Sequence, residues 1–260
     1  MGWLHEGHAA LIRRAREESA TVVVTIFVNP RQFNEAADYT QYPRNEARDV
    51  AQASDDGADF VWAPPVDEVY PAGFDTTVSV GAVAEPLEGA ARPGHFDGVA
   101  TVVAILFSLV GAERAYFGQK DAQQVMVIRQ MARDLAIGTA VVACPTVREP
   151  DGLALSSRNV HLSPAERAAA PVLQRALLAA RTAFDAGERS AAVLRERMGD
   201  TLATEPLAVA EYVSVADGLT LAELDTIERP AIASLAVRFG TTRLIDNDML
   251  DPGTGAASAV

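Results

Sequence analysis

The chain has 260 residues, of which 49% are hydrophobic and 22% charged, and 22 lysines and arginines against 35 acidic residues give a formal charge of −13. That length accommodates two domains with buried cores, the mixture is that of a globular protein, and the acidic balance argues against nucleic acid or anionic membrane as a partner. One cysteine, Cys144, excludes a disulfide framework, and four histidines do not cluster with it into metal-ligand spacing. The longest apolar run, Val99 to Val110, is bounded by Gly98 and Gly111 and interrupted by Ser108, too short to span a bilayer. With no signal-like opening segment, the chain is expected in the cytoplasm.

The first predicted element is a helix. Leu4, His8, Leu11, Ile12 and Ala15 recur at helical spacing, with Arg13, Arg14, Arg16, Glu17 and Glu18 on the other face. His5 and His8 therefore sit in or beside its first turn. A helix start offers unpaired N–H groups to anionic oxygens, and Gly7 lets a ligand approach the backbone. The spacing alone fits a solvated cap and a core filler equally well.

Thr21 to Val28 follows as a β-branched run that reads as a strand buried on both faces, ending at Asn29-Pro30. A helix near Asn45 to Asp56 and a strand at Asp59 to Ala63 come next, closed by Pro64-Pro65. Gly98 to Val110 reads as a buried helix, Ala115 to Phe117 as a strand ending in Gly118, Ala122 to Leu135 as an amphipathic helix and Thr139 to Ala143 as a core strand. The alternation predicts an α/β fold, a doubly wound, mostly parallel, Rossmann-like sheet. Ligands of such sheets lie beyond the C-terminal ends of strands, where Asn29, Gln32, Gly118, Lys120 and Asp121 fall.

The pattern changes near residue 147. Ser163-Pro164-Ala165-Glu166 is a capping box with proline at the first helical position, opening a long helix to about Ala186. A second helix spans about Ala191 to Thr204, and strands follow at Val209 to Val215, Ala231 to Phe239 and Thr242 to Asp246. We expect a first domain over 1–146, a smaller α+β domain over 147–252 and a disordered tail over 253–260.

Neither a Gly-x-Gly-x-x-Gly fingerprint nor a Gly-x4-Gly-Lys-Ser/Thr loop occurs, which disfavours dinucleotide enzymes and P-loop ATPases. The one lysine, Lys120, lies in Phe117-Gly118-Gln119-Lys120-Asp121-Ala122-Gln123-Gln124. With the opening His-x-Gly-His, six further stretches complete an ordered set: Phe27 to Phe33, Tyr42-Pro43-Arg44, Arg92 to Val99, Pro145 to Glu149, Asp151 to Asn159 and Thr242 to Asn247. In order and rough spacing, these resemble the pantothenate synthetase (pantoate–β-alanine ligase) family of the nucleotidylyltransferase superfamily, from Met1 to about residue 250.

The resemblance implies a ligase that joins pantoate to β-alanine through a pantoyl-adenylate, with ATP as substrate, Mg²⁺ as metal, a homodimer and closure of the second domain over ATP. By the family pattern His5, His8, Lys120, Ser156, Ser157 and Arg158 carry catalysis. Met1, His8, Gly118, Lys120, Asp121, Val147, Leu155, Ser156, Ser157 and Arg158 would meet ATP. Gln32 and Gln124 would bind pantoate, with Asn29 and Tyr42 nearby, and Asp49 and Gln52 match a magnesium region. His95 either binds substrate or fixes its loop. Rival readings are a nucleotidylyltransferase that leaves the nucleotide on its product, and a truncated, inactive nucleotide-binding chain. The family pattern also places a hydrophobic strand and Pro-Thr before Met-Gly-x-Leu-His, so we expect a start upstream of Met1, and in this chain unpaired strand edges where that central strand would lie.

Overall fold

The computed structural model describes residues 2–33, 39–40 and 42–253, in two compact units, Met1–Val147 and Arg148–Val260. The sequence expectations for Met1 as an ATP contact and for the tail beyond Gly253 lie outside the described residues.

In the first unit, helix α1 (Glu6–Glu18) is followed by β1 (Val23–Thr25), α2 (Glu46–Asp55), β2 (Phe60–Trp62), short helices α3 (Val66–Val69) and α4 (Glu88–Ala91), α5 (His95–Val110), β3 (Arg114–Gly118), α6 (Ala122–Asp134) and β4 (Ala140–Cys144). β1 pairs parallel with β2, Val23 opposite Phe60, and β3 pairs parallel with β4, Arg114 opposite Ala140. Among the described residues no ladder joins the two pairs. The apolar run expected as an eight-residue strand buried on both faces is ordered as strand only over Val23–Thr25, and Val23 is 38% exposed. Local hydrophobicity marks strand propensity, but burial needs neighbours on both edges, and β1 has one described partner.

Leu4, Ile12, Ala15, Val22 and Ala53 form a small core with Val24, Val61 and Tyr116 packed against it, so α1 is seated by its apolar stripe. Helix α5 packs on the 3-10 turn Pro30–Gln32 and on α6. Gly98 permits the first contact: a Cβ there would overlap the Arg31 carbonyl and stand 2.8 Å from the Gln32 nitrogen.

In the second unit the long helix expected from Ser163 to Ala186 is two helices, α7 (Pro164–Ala169) and α8 (Val172–Asp185). Pro171 lies between them, and its missing N–H and its ring interrupt the hydrogen-bond ladder. The capping box is formed, Ser163 accepting from the Glu166 N–H while Glu166 accepts from the Ser163 N–H. α9 (Ala191–Ala203) precedes an antiparallel sheet β5-β6-β7 (Val209–Asp217, Ala231–Phe239, Thr242–Leu250) with β6 central. One apolar core joins Leu173, Leu177 and Phe184 of α8, Leu194 and Met198 of α9, and Leu235, Val237 and Phe239 of β6, each at most 3% exposed. The molecule is thus α/β, with parallel strand pairs in one unit and an antiparallel sheet in the other.

Candidate functional site

The opening stretch is a capping box made of imidazoles. His5 is the N-cap of α1, and its Nδ1 accepts the Gly7 N–H at 3.1 Å. His8, three residues on, accepts the His5 N–H at its own Nδ1 at 3.2 Å, and the rings lie 4.1 Å apart. A neutral imidazole has one donor and one acceptor nitrogen, so a ring whose Nδ1 accepts carries its proton on Nε2. Burial holds His5 below the usual histidine pKa, and burial followed by the charge of His5 lowers His8 to about 3. The stretch therefore presents two neutral rings, each carrying its proton on Nε2.

Lys120 and Asp121 come to the same cluster from β3. The strand ends at Gly118, and the 3-10 turn Gln119–Asp121 leads into α6, with Lys120 Nζ 3.3 Å from Asp121 Oδ1. The ammonium lowers the pKa of both histidines and the carboxylate raises it, so both rings feel these charges. A cation, two N–H donors and a helix start suit an anionic phosphate.

A second group surrounds the turn after β1. Asn29 is 2% exposed and uses its whole amide: Oδ1 accepts from the Arg31 N–H at 3.2 Å and the Tyr70 hydroxyl at 2.8 Å. Its Nδ2 donates to Gly98 O at 3.0 Å and Gln32 Oε1 at 3.3 Å. Asn29 thereby orients the half-buried Gln32 instead of facing a ligand itself. The Gln32 carbonyl accepts from His95 Nδ1 at 2.8 Å and from Arg92 Nη2 at 3.1 Å. Arg92 Nη1 also approaches His95 Nε2 at 3.3 Å, which makes Nε2 the acceptor and Nδ1–H the donor. Of the two roles open to His95 in the sequence, the structure thus shows the loop-fixing one. Tyr42 meets Phe33 edge-on at 5.7 Å. Gln124, on α6, is half-buried, while its neighbour Gln123 is buried and tied to Val83 O, Pro86 O and the Glu88 N–H.

Of the two residues expected at magnesium, Asp49 does not fit a magnesium ligand. Asp49 is 0% exposed, and its oxygens accept the main-chain N–H groups of Trp3 at 2.6 Å and Leu4 at 2.8 Å. Mg²⁺ requires octahedral oxygen ligands and keeps several waters, which a carboxylate enclosed by backbone donors does not admit. Gln52 lies one turn further along α2, and no group of three or more His, Cys, Asp or Glu suited to a metal occurs among the described residues.

In the second unit, residues 148–154 form a tight loop closed by an Arg148–Ala154 bridge. Arg148 is fixed to the buried Asp246 by two hydrogen bonds of 2.6 and 3.0 Å, and Arg167 joins Glu149 and Asp151. Leu155 is half-buried beyond this loop. Ser156 caps the 3-10 turn Ser157–His161, its Oγ accepting from the Arg158 N–H at 3.2 Å, and the Arg158 side chain is exposed. Asn159 supports the turn by donating to Ala154 O and Glu149 Oε1. Val147 is the last residue of the first unit.

Tyr70 and Arg48 hold candidate segments from outside every motif, and Arg92, which opens the stretch Arg92 to Val99, holds the Gln32 carbonyl. Their signal is long-range contact, visible in the sequence only as a polar residue inside an otherwise apolar or structured segment.

The family described as pantoate-beta-alanine ligase matches residues 1–249. A pantothenate synthetase of Roseiflexus sp. is 59% identical over 251 residues, 96% of this chain and 90% of the relative. One of Chloroflexus aggregans is 60% identical, over 96% and 91%. The crystal structure of pantothenate synthetase from Thermus thermophilus aligns with a TM-score of 0.94 at 50% identity, covering 97% of this chain and 91% of that one. A pantoate-beta-alanine ligase from Francisella tularensis, complexed with beta-gamma ATP and beta-alanine, aligns at 0.76 with 34% identity, covering 96% and 87%.

Proposed function

The chain belongs to the pantoate–β-alanine ligase family, and from that premise we infer that it condenses pantoate with β-alanine to pantothenate, converting ATP to AMP and pyrophosphate. The product bond is carbon–nitrogen, and the intermediate is pantoyl-adenylate. The observation that carries the assignment to this site is the pair of neutral, Nε2-protonated imidazoles gathered with Lys120 at the start of α1.

A carboxylate resists attack by an amine because its negative charge must first be removed. In the first step a pantoate carboxylate oxygen attacks the α-phosphorus, and the bond from that phosphorus to the bridging oxygen breaks to release pyrophosphate. The β-alanine nitrogen then attacks the acyl carbon, the bond to AMP breaks, and nitrogen loses a proton. Neither step needs a protein nucleophile, so positioning and charge stabilisation carry the rate.

We assign the Nε2–H groups of His5 and His8 to phosphate oxygens that gain charge, and Lys120 to the same oxygens as a point charge. Being neutral, the imidazoles donate hydrogen bonds without being acids at physiological pH. Gly118 and Asp121 are assigned to the ribose, Val147 and Leu155 to the adenine. Gln32 and Gln124 are assigned to pantoate, with Asn29 and Tyr42 shaping the Gln32 turn. Ser156, Ser157 and Arg158 are the second unit's phosphate ligands, two hydroxyls and a guanidinium. Magnesium bound with the phosphates of ATP would supply charge neutralisation there. No helix of the described residues is long and apolar enough to cross a membrane, and we propose a cytoplasmic homodimer.

The test is AMP release. AMP must accumulate only when ATP, pantoate and β-alanine are all present, and Lys120→Ala should lower turnover about 100-fold or more. ATP binding without AMP release would overturn the enzymatic reading.

A further inference from the structure

The Asp49 carboxylate lies one turn into α2, enclosed in protein, yet it accepts hydrogen bonds from the main chain of the opening stretch. Trp3 adopts φ +58°, a left-handed conformation that side chains with a Cβ rarely take and that tertiary contacts must hold. Both N–H groups of this turn, Trp3 and Leu4, point at the two oxygens of Asp49. Arg48 takes the other side: Nη2 donates to Leu4 O at 2.9 Å, and the guanidinium lies 4.6 Å from the Trp3 ring centroid. Arg48 Nη1 is also 3.6 Å from Asp49 Oδ1. The residue after Leu4 is His5, the N-cap, whose carbonyl accepts the His8 and Ala9 N–H groups and so begins α1.

We propose that Asp49, with Arg48, is a positioning residue that sets the aim of the His5 and His8 donors, and that it is not a ligand of magnesium. The proposal rests on the reading that these imidazoles meet the phosphates of ATP. A buried carboxylate satisfied by two main-chain donors is a rigid fixture, because turning it away strands a charge and two N–H groups together. α2 therefore fixes the entry of α1 at the strained Trp3, two positions before His5. A small rotation there moves both Nε2–H groups, and displacement of about 1 Å from productive geometry suffices to lower a rate about 100-fold.

The decisive variant is Asp49→Asn, whose amide keeps one acceptor and turns a donor toward the other main-chain N–H. We expect kcat to fall about 10-fold or more, with KM for ATP and the half-saturating Mg²⁺ concentration within about threefold of wild type. In the ligand-free protein the His5 and His8 ring ¹⁵N resonances should shift, a readout that requires no turnover. A metal ligand behaves differently: half-saturating Mg²⁺ would rise about 10-fold, or excess Mg²⁺ or Mn²⁺ would restore kcat, and either result overturns the proposal. So does unchanged kcat with unmoved histidine resonances. Should Asp49→Asn fail to fold, Arg48→Gln is read by the same criteria, with a kcat loss of about threefold or more expected because the Leu4 carbonyl contact, the Trp3 stack and the ion pair to Asp49 are removed while the two main-chain bonds to Asp49 remain. If wild type itself released no AMP, the function would fall, whereas the histidine resonances of the variants would still report whether α2 sets the geometry of the opening turn.

Discussion

The two units place their candidate residues on differently built supports. In the second, nine-residue strands form a sheet whose central strand is largely buried, and two helices complete a continuous apolar core. In the first, parallel strands of three and five residues are partly exposed, and the candidate turns are held by single buried polar side chains: Asn29 under Gln32, His95 behind the Gln32 carbonyl, Asp49 under Trp3 and Leu4. An apolar core averages over many contacts, so losing one side chain lowers stability and leaves geometry largely intact. A polar fixture is one bond deep, and its loss moves the loop it holds. Substitutions of these polar fixtures in the first unit should therefore read out chiefly in catalysis, and substitutions within the apolar core of the second chiefly in stability.

The largest effect should come where the first unit has no slack. Gly98→Ala places a methyl group into the Arg31 carbonyl, and neither the backbone of α5 nor the turn Pro30–Gln32 can yield without breaking the Asn29 bond to Gly98 O. We expect kcat/KM for pantoate to fall about 1,000-fold, equivalent to about 4 kcal/mol of transition-state binding, with a smaller change in KM for ATP. A variant that loses stability but keeps its pantoate kinetics would break the comparison. The counterpart in the second unit is Leu235→Ala, at a fully buried position of β6. Chemical denaturation should show a loss of about 3 kcal/mol, with kcat per folded molecule close to wild type.

Reading the sequence recovers the α/β class and most elements because periodicity is local. The stripe of Leu4, Ile12 and Ala15 marks α1, and the strand Ala231–Phe239 agrees with its predicted limits. The failures have physical causes of two kinds. Pro171 carried a stop signal within the alanine-rich run and the helix ended there, so that break was legible. The exposure of Val23 was not, since a β-branched run records propensity while its burial is decided by which strands lie beside it. At the site, a histidine pair near a helix start was visible, but that the rings themselves cap the helix depends on side-chain direction. Asp49 is the sharpest case: the family pattern matches it to a magnesium region, whereas its burial and its bonds come from a contact 45 residues away in sequence.

The smallest expected effect separates the units by pH. His8 titrates at about 3 in the folded protein, chiefly through burial, against 6.5 for an ordinary histidine. Between those values the unfolded chain binds the proton and the folded chain does not, so stability is full above about pH 6.5 and falls as the solution is acidified toward 3. His8→Gln removes the titrating ring while keeping an acceptor for the His5 N–H. Wild type should lose stability relative to this variant by at most about 1.4 kcal/mol per pH unit below 6.5, measured by urea denaturation at pH 7, 6 and 5. Leu235→Ala, by contrast, should shift the denaturation midpoint by the same amount at each pH, because it alters no protonation. A constant gap between wild type and His8→Gln from pH 7 to 5 would mean that the folded chain protonates His8 as readily as the unfolded one. Burial would then not hold the ring neutral, and in mildly acidic solution the imidazole would be a cation at the phosphate site.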